Sequence, residues 1–166
     1  MIKVLFVCLG NICRSPMAEA MFRELVKKKG LEEQIYIDSA GTGNWHIGEP
    51  PHKGTVEILS KNNISVEGLK ARQIQPQDLE NFDYIIAMDA DNRKNINMIK
   101  AAYPKADVSV LLEYVPEIAD KDVPDPYFTG NFLEVYELVE KGCSALLSKI
   151  IAEHFKDKEG NNGQSK

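Results

Sequence analysis

The sequence predicts a single α/β domain, a four-stranded parallel sheet flanked by helices on both faces, and three observations predict it. Short, nearly all-apolar runs such as Ile2 to Val7 and Tyr84 to Met88 suit strands buried on both faces. Helical patterns separate these runs, so strands alternate with helices and the connections should be right-handed crossovers. No linker, repeat or low-complexity insert divides the chain before its polar end.

The elements follow in order. The first strand, Ile2 to Val7, breaks at Gly10 and Asn11. Ser15 as N-cap and Pro16 as first helical residue then open a helix with Ala20, Phe22, Leu25 and Val26 along its apolar stripe, stopped by Gly30. A second strand reads from Ile35 to Ser39 and ends in the loop Gly41-Thr42-Gly43-Asn44, and a helix follows from Gly54 to Lys61. Tyr84 to Met88 is the third strand, a polar helix runs from Asp89 to Ala102, and Val108 to Leu112 is the fourth strand. A long helix from Asn131 to Phe155 carries Phe132, Tyr136, Val139, Cys143, Leu146 and Ile150 on one stripe. The domain is expected to span 1–155, with 156–166 a disordered polar tail.

Composition narrows the function. The 166 residues are 43% hydrophobic, enough for one real core. The formal charge of -5 argues against a nucleic-acid binder, whose phosphate contacts need clustered Lys and Arg. The apolar stretch around Val4 to Leu9 is too short to span a bilayer, and Asn11, Arg14 and Ser15 follow where a signal peptide would need small residues. A cytoplasmic protein without membrane partners is the expectation. Cys8, Cys13 and Cys143 make no disulfide framework and no zinc pair, so reduced thiols are expected. His46, His52 and His154 lack metal-ligand spacing, and no carboxylate cluster suits magnesium, so neither metal nor cofactor is expected.

The segment Cys8-Leu9-Gly10-Asn11-Ile12-Cys13-Arg14-Ser15-Pro16 carries the chemistry. It joins a buried strand to a helix start, where backbone N–H groups converge on an anion. That makes it a phosphate-binding loop after the first strand. Gly10 and Asn11 are the residue types that tolerate the unusual dihedrals such a cradle needs. The helix N-terminus and Arg14 both favour a thiolate on Cys8. Arg14 offers a planar fork that can hold two phosphate oxygens at once. Ser15 can donate a hydrogen bond toward the Cys8 sulfur. Packing is the bland alternative for a buried cysteine, but the strand before and the Gly-Asn and Ser-Pro steps after make the combination specific.

This run, so near the N-terminus, resembles the signature of the low-molecular-weight protein-tyrosine phosphatases. The resemblance implies hydrolysis of phosphotyrosine through a cysteinyl-phosphate on Cys8, with Arg14 holding phosphate, the amides from Leu9 to Arg14 (Leu9, Gly10, Asn11, Ile12, Cys13) stabilising its charge, and inorganic phosphate as product. Phosphotyrosine-containing proteins would be the partners, and a monomeric enzyme is expected. A departing phenolate also needs a proton, so a carboxylic acid must stand nearby. The resemblance points to Asp125-Pro126-Tyr127, where Pro124 and Pro126 restrict the chain; a plain turn is the alternative, and Asp122 the weaker candidate. Trp45, Tyr127 and Phe128 fall in predicted loops, where they either wall a slot for a flat ring or merely anchor the loops. Ser39-Ala40-Gly41-Thr42, Ala71-Arg72-Gln73 and Met88-Asp89 with Asn92 extend the match, with Ser39 and Asn11 as supports of the loop.

Three departures stand out. Leu69 replaces a frequent histidine, Phe128 replaces a frequent second tyrosine, and His52 and Lys53 sit where Asp-x-Arg is common. Three rival readings remain. In a protein-arginine phosphatase of the same fold a threonine tends to stand at the Ile12 position, and bulky Ile12 favours phosphotyrosine. An arsenate reductase would need a further cysteine pair, which Cys143 alone cannot supply. A non-catalytic phosphate binder would be expected to lose the thiol or the acid. Cys13 is either packing or a partner for oxidised Cys8.

Overall fold

In a computed structural model describing residues 1–155, four parallel strands form one sheet in the order β2-β1-β3-β4. The strands are β1 (Ile2–Cys8), β2 (Ile35–Gly41), β3 (Tyr84–Ala87) and β4 (Val108–Val110). The expected polar tail lies outside the described residues. Among those residues no helix is long and apolar enough to cross a membrane.

The alternation of side chains along β1 builds two cores. Val4, Phe6 and Cys8 face helices α1 (Arg14–Lys28) and α6 (Phe132–His154), where Phe6 meets Phe22 edge-on at 5.4 Å between ring centroids. Leu5 and Val7 face the other side, with Leu79 of α3 (Pro76–Asn81) and Ile96 of α4 (Ala90–Asn97). Helices therefore cover both faces, as the all-apolar strands require. The α6 stripe is buried at Tyr136, Val139, Cys143, Leu146 and Ile150.

Several boundaries differ from the sequence reading. α1 begins at Arg14 with Cys13 at its N-cap, so Ser15 is already helical and its hydroxyl serves the loop instead. β2 runs on to Gly41 because its register with β1 continues to Cys8 opposite Gly41. The polar helix expected from Asp89 to Ala102 stops at Asn97. Beyond it the Ala102 and Tyr103 N–H groups bond to the Glu80 carboxylate at 3.0 and 3.3 Å, not to helical carbonyls. The fourth strand ends at Val110, and Leu111–Tyr114 turns as a 3₁₀ helix. The helix α2 covers Lys53–Lys61, and the short helices α3 and α5 (Pro126–Thr129), each opening on proline, had no apolar period to reveal them.

At the opposite end of the sheet from the loop, Asp83 ties β1 to β3. Its carboxylate accepts the Lys3 N–H at 2.8 Å and meets Lys105 Nζ at 3.0 Å. Burial opposes its ionisation, but these two partners hold its pKa below the ordinary 3.8. A depressed carboxylate pKa stabilises the fold above the unfolded value and loses that contribution as pH falls through the folded value. Asp83→Asn should therefore cost on the order of 1 kcal/mol at pH 7. The difference from wild type should shrink at pH 3, as urea denaturation at both pH values would show.

Candidate active site

β1 is the central pivot of the sheet: the chain goes from it to β2 on one side and later to β3 on the other. The crevice at such a switch point, beyond the carboxyl ends of the strands, is where ligands bind in α/β sheets. Here the loop from Cys8 to Arg14 lies at that point. Asn11 takes the left-handed conformation (φ 59°), which asparagine tolerates better than most residues. Gly41 lets the loop close down on β2. A Cβ there would sit 2.9 Å from the Leu9 carbonyl oxygen and 3.1 Å from the Asn11 nitrogen.

Hydrogen bonds fix both the loop's shape and the direction of its protons. The Arg72 backbone N–H can only donate, and it does so to Asn11 Oδ1 at 3.0 Å. The Asn11 amide nitrogen therefore points its hydrogens at Ser15 Oγ (2.7 Å) and Ser39 Oγ (3.0 Å). Ser39 passes its own hydrogen to Glu19 Oε1 at 2.6 Å. Ser15 Oγ, already accepting from Asn11, has two acceptors for its one hydrogen, the Ala40 carbonyl at 3.5 Å and Cys8 Sγ, the nearer at 3.0 Å. The Asn11 N–H adds a second donor to that sulfur at 3.3 Å. Glu19, which also pairs with Arg23, is buried, and that burial raises its pKa despite the Ser39 bond. The sequence reading passed over Glu19. Its signal was a lone acid within the apolar run Met17-Ala18-Glu19-Ala20-Met21-Phe22.

Arg14 is 2% exposed and its guanidinium is held on three sides. Nη1 donates to Asp89 Oδ2 (2.6 Å) and to the Val123 carbonyl (2.8 Å), and Nη2 reaches Asp125 Oδ2 at 3.3 Å. Burial works to lower its pKa, but Cys8, Asp89 and Asp125 outweigh this and raise it, so the charge is permanent. Its buried Nε has no protein partner among the described residues. Asp89 is the partner that the sequence reading treated only as part of a structural match. It also caps α4, accepting the Asn92 N–H at 2.7 Å.

Asp125 is the N-cap of α5, and its Oδ1 accepts the Tyr127 N–H at 3.1 Å. The competing Asp122 instead accepts the Ala90 N–H at 2.9 Å, a structural task on α4. Cys8 and Asp125 line one cleft of about 370 Å³, together with Ile12, Trp45, Tyr127 and Phe128. Trp45 and Phe128 are 66% and 76% exposed and form its rim. His46, given no part in the sequence reading, also lines the cleft, its Nδ1 3.0 Å from Glu49. Cys13, within the loop itself, is buried and also lines the cleft. Burial first, then Cys8 and Asp125, push its thiol up to about 12 against the pull of Arg14. A neutral thiol is a slow partner for an oxidised Cys8. Cys143 is fully buried on α6, and burial raises its pKa as well.

A parallel sheet bearing this loop, with a buried arginine and an acid across one cleft, defines a cysteine-based phosphatase of small size. The chain belongs to the low molecular weight phosphotyrosine protein phosphatase family, whose model matches residues 3–157. It is 57% identical over 150 residues to the low molecular weight protein-tyrosine-phosphatase YfkJ of Bacillus subtilis, covering 90% of this chain and 96% of that protein. The crystal structure of YfkJ superposes with a TM-score of 0.89 at 56% identity, over 93% of this chain and 97% of that one. A Drosophila arginine phosphatase structure is also similar, with a TM-score of 0.84 at 35% identity over 90% and 98% of the two chains.

Proposed function

We propose that this enzyme dephosphorylates phosphotyrosine in cytoplasmic proteins, as a monomer and without a metal, using Cys8 as nucleophile. Cys8 Sγ attacks phosphorus, the ester P–O bond breaks, and Asp125 protonates the departing phenolate. Water then attacks the cysteinyl-phosphate, Asp125 takes its proton, and the S–P bond breaks. The Ser15 hydroxyl stabilises the sulfur as it leaves. The Arg14 guanidinium and the amides from Leu9 to Arg14 hold the phosphoryl oxygens through both steps. Trp45, Tyr127 and Phe128 wall the slot for the substrate ring. The observation that carries the reading is Arg14, buried and braced by two carboxylates six positions after Cys8, with its Nε unpartnered among the described residues.

Dephosphorylation of phosphoarginine is the second reading, favoured by the likeness to the Drosophila arginine phosphatase. Ile12 on the cleft wall opposes it, since an apolar side chain gives a guanidinium no hydrogen-bond partner. Arsenate reduction finds no support in Cys143, which is buried in the core.

The test is turnover of phosphotyrosine, phosphoarginine and phosphoserine peptides with chelator present, by wild type and Asp125→Asn. Phosphotyrosine should be the preferred substrate, and the substitution should lower its kcat by roughly 10²–10³-fold. An aryl phosphate with a good leaving group needs little protonation and should lose far less. Equal losses on both would remove Asp125 from the acid role, and a preference for phosphoarginine would replace the substrate assignment.

A further inference from the structure

His52 stands where four parts of the site meet. Its backbone N–H donates to the Ile12 carbonyl of the phosphate loop at 2.7 Å. Its side chain caps α2, with Nδ1 accepting the Gly54 N–H at 2.9 Å. That bond fixes the tautomer: an acceptor Nδ1 leaves the ring hydrogen on Nε2. The imidazole lies nearly flat on Phe132, the first residue of α6, with ring centroids 5.0 Å apart and planes 24° from parallel. Its edge meets Tyr127 of α5 at 6.1 Å and 81°.

Phe132 is in turn fixed from behind. Its ring occupies the space a side chain at residue 54 would need, which is why glycine stands there, and it packs against Ile12, Cys13 and Ala71. Tyr127 is less secured. It is 55% exposed, and besides His52 its aromatic neighbours are Phe128 at 5.3 Å and His46 at 6.4 Å. Phe128 is itself largely exposed. The well-anchored ring in contact with Tyr127 is therefore His52, held by a helix cap on one side and a stacked phenyl on the other.

We infer that His52 is a positioning residue for the substrate slot, transmitting the fixed geometry of α2 and Phe132 to the Tyr127 wall. The inference rests on the slot assigned above. It predicts that removing the ring weakens binding of the aromatic part of the substrate while leaving the phosphate cradle intact, because that cradle holds His52 through its backbone only.

Two substitutions separate the ring from the cap. His52→Asn keeps a side chain that caps a helix but removes the stacked ring. His52→Phe keeps a ring and removes the cap. With a phosphotyrosine peptide, His52→Asn should raise KM roughly threefold to tenfold, the range of an aromatic contact. Its kcat and its inhibition constant for inorganic phosphate should stay near wild type. His52→Phe should restore KM to within about twofold while melting at a lower temperature. A wild-type KM in His52→Asn would overturn the inference, and so would a matching rise in the phosphate inhibition constant, which would mean a general disturbance of the loop. Absence of phosphotyrosine turnover by wild type would instead count against the functional reading. In that event the crystal structure of His52→Asn decides: a displaced Tyr127 ring over an unmoved loop supports the inference, and an unmoved Tyr127 overturns it.

Discussion

Cys8→Ser is expected to reduce turnover of phosphotyrosine by a factor on the order of 10⁴ or more, the scale seen when a covalent nucleophile is removed. A serine hydroxyl is far less ionised than a thiol and a poorer leaving group from phosphorus, so both chemical steps fail together. The substitution should leave the fold untouched. Cys8 contributes a small buried side chain, and an oxygen there can still accept the Ser15 and Asn11 hydrogen bonds. Stopped-flow kinetics and calorimetric titration with inorganic phosphate together make the check. Phosphate should still bind with an affinity within about an order of magnitude of wild type, since the cradle survives. Near-normal turnover in the variant would exclude a cysteinyl-phosphate.

Arg14→Lys should be the next most damaging change. The guanidinium spends Nη1 and Nη2 on Asp89, Val123 and Asp125, and still has Nε to offer. A lysine ammonium is a compact point charge and cannot hold those partners and clamp two phosphoryl oxygens at once. Loss of a donor aimed at transition-state charge costs about 10²–10³ in kcat, and that is the expected drop here. The phosphate inhibition constant should rise as well. Keeping the positive charge beside Asp89 guards against the larger loss of about 3–5 kcal/mol expected when a buried partner is left uncompensated. Thermal melting of Arg14→Lys beside Arg14→Met measures that difference. An unchanged inhibition constant in Arg14→Lys would show that phosphate is held without the arginine.

The fold class was legible because its signals are local. A strand buried on both faces must be apolar throughout, and Ile2 to Val7 is. The phosphate loop was legible for a similar reason, since its strand, its unusual dihedrals and its helix start all fall within about ten consecutive residues. Where the local signals misled, a side chain outside the expected helix had engaged the group in question. Ser15 looks like an N-cap in isolation, but Asn11 and Cys8 engage its hydroxyl, and the helix opens two residues earlier. The helix after Asp89 ends at Asn97, and the Ala102 and Tyr103 amides that a longer helix would have used bond instead to Glu80, more than twenty residues back in the chain.

The partners of the site residues were legible only in part. Asp125 could be found through Asp-Pro-Tyr, but nothing in the run Met88-Asp89 announces a carboxylate against Arg14, because the two stand 75 positions apart. Glu19, Asn11 and Ser39 likewise become one chain of hydrogen bonds only when β1, α1 and β2 are packed together. His52 shows the same division: its place before a helix is visible in the sequence, while its stacking on Phe132 and its edge-on contact with Tyr127 are not.

The sequence by itself determined the alternation of strands and helices, the loop between the first strand and helix, and the residues able to do chemistry there. Backbone dihedrals, apolar periodicity and helix starts are properties of neighbouring residues, and neighbours are written side by side. The tertiary structure alone decided which carboxylates brace Arg14, which hydroxyl stands against Cys8 and which rings surround His52. Those depend on electrostatic and packing contacts that fall off within a few ångströms, and only the parallel sheet brings their residues so close.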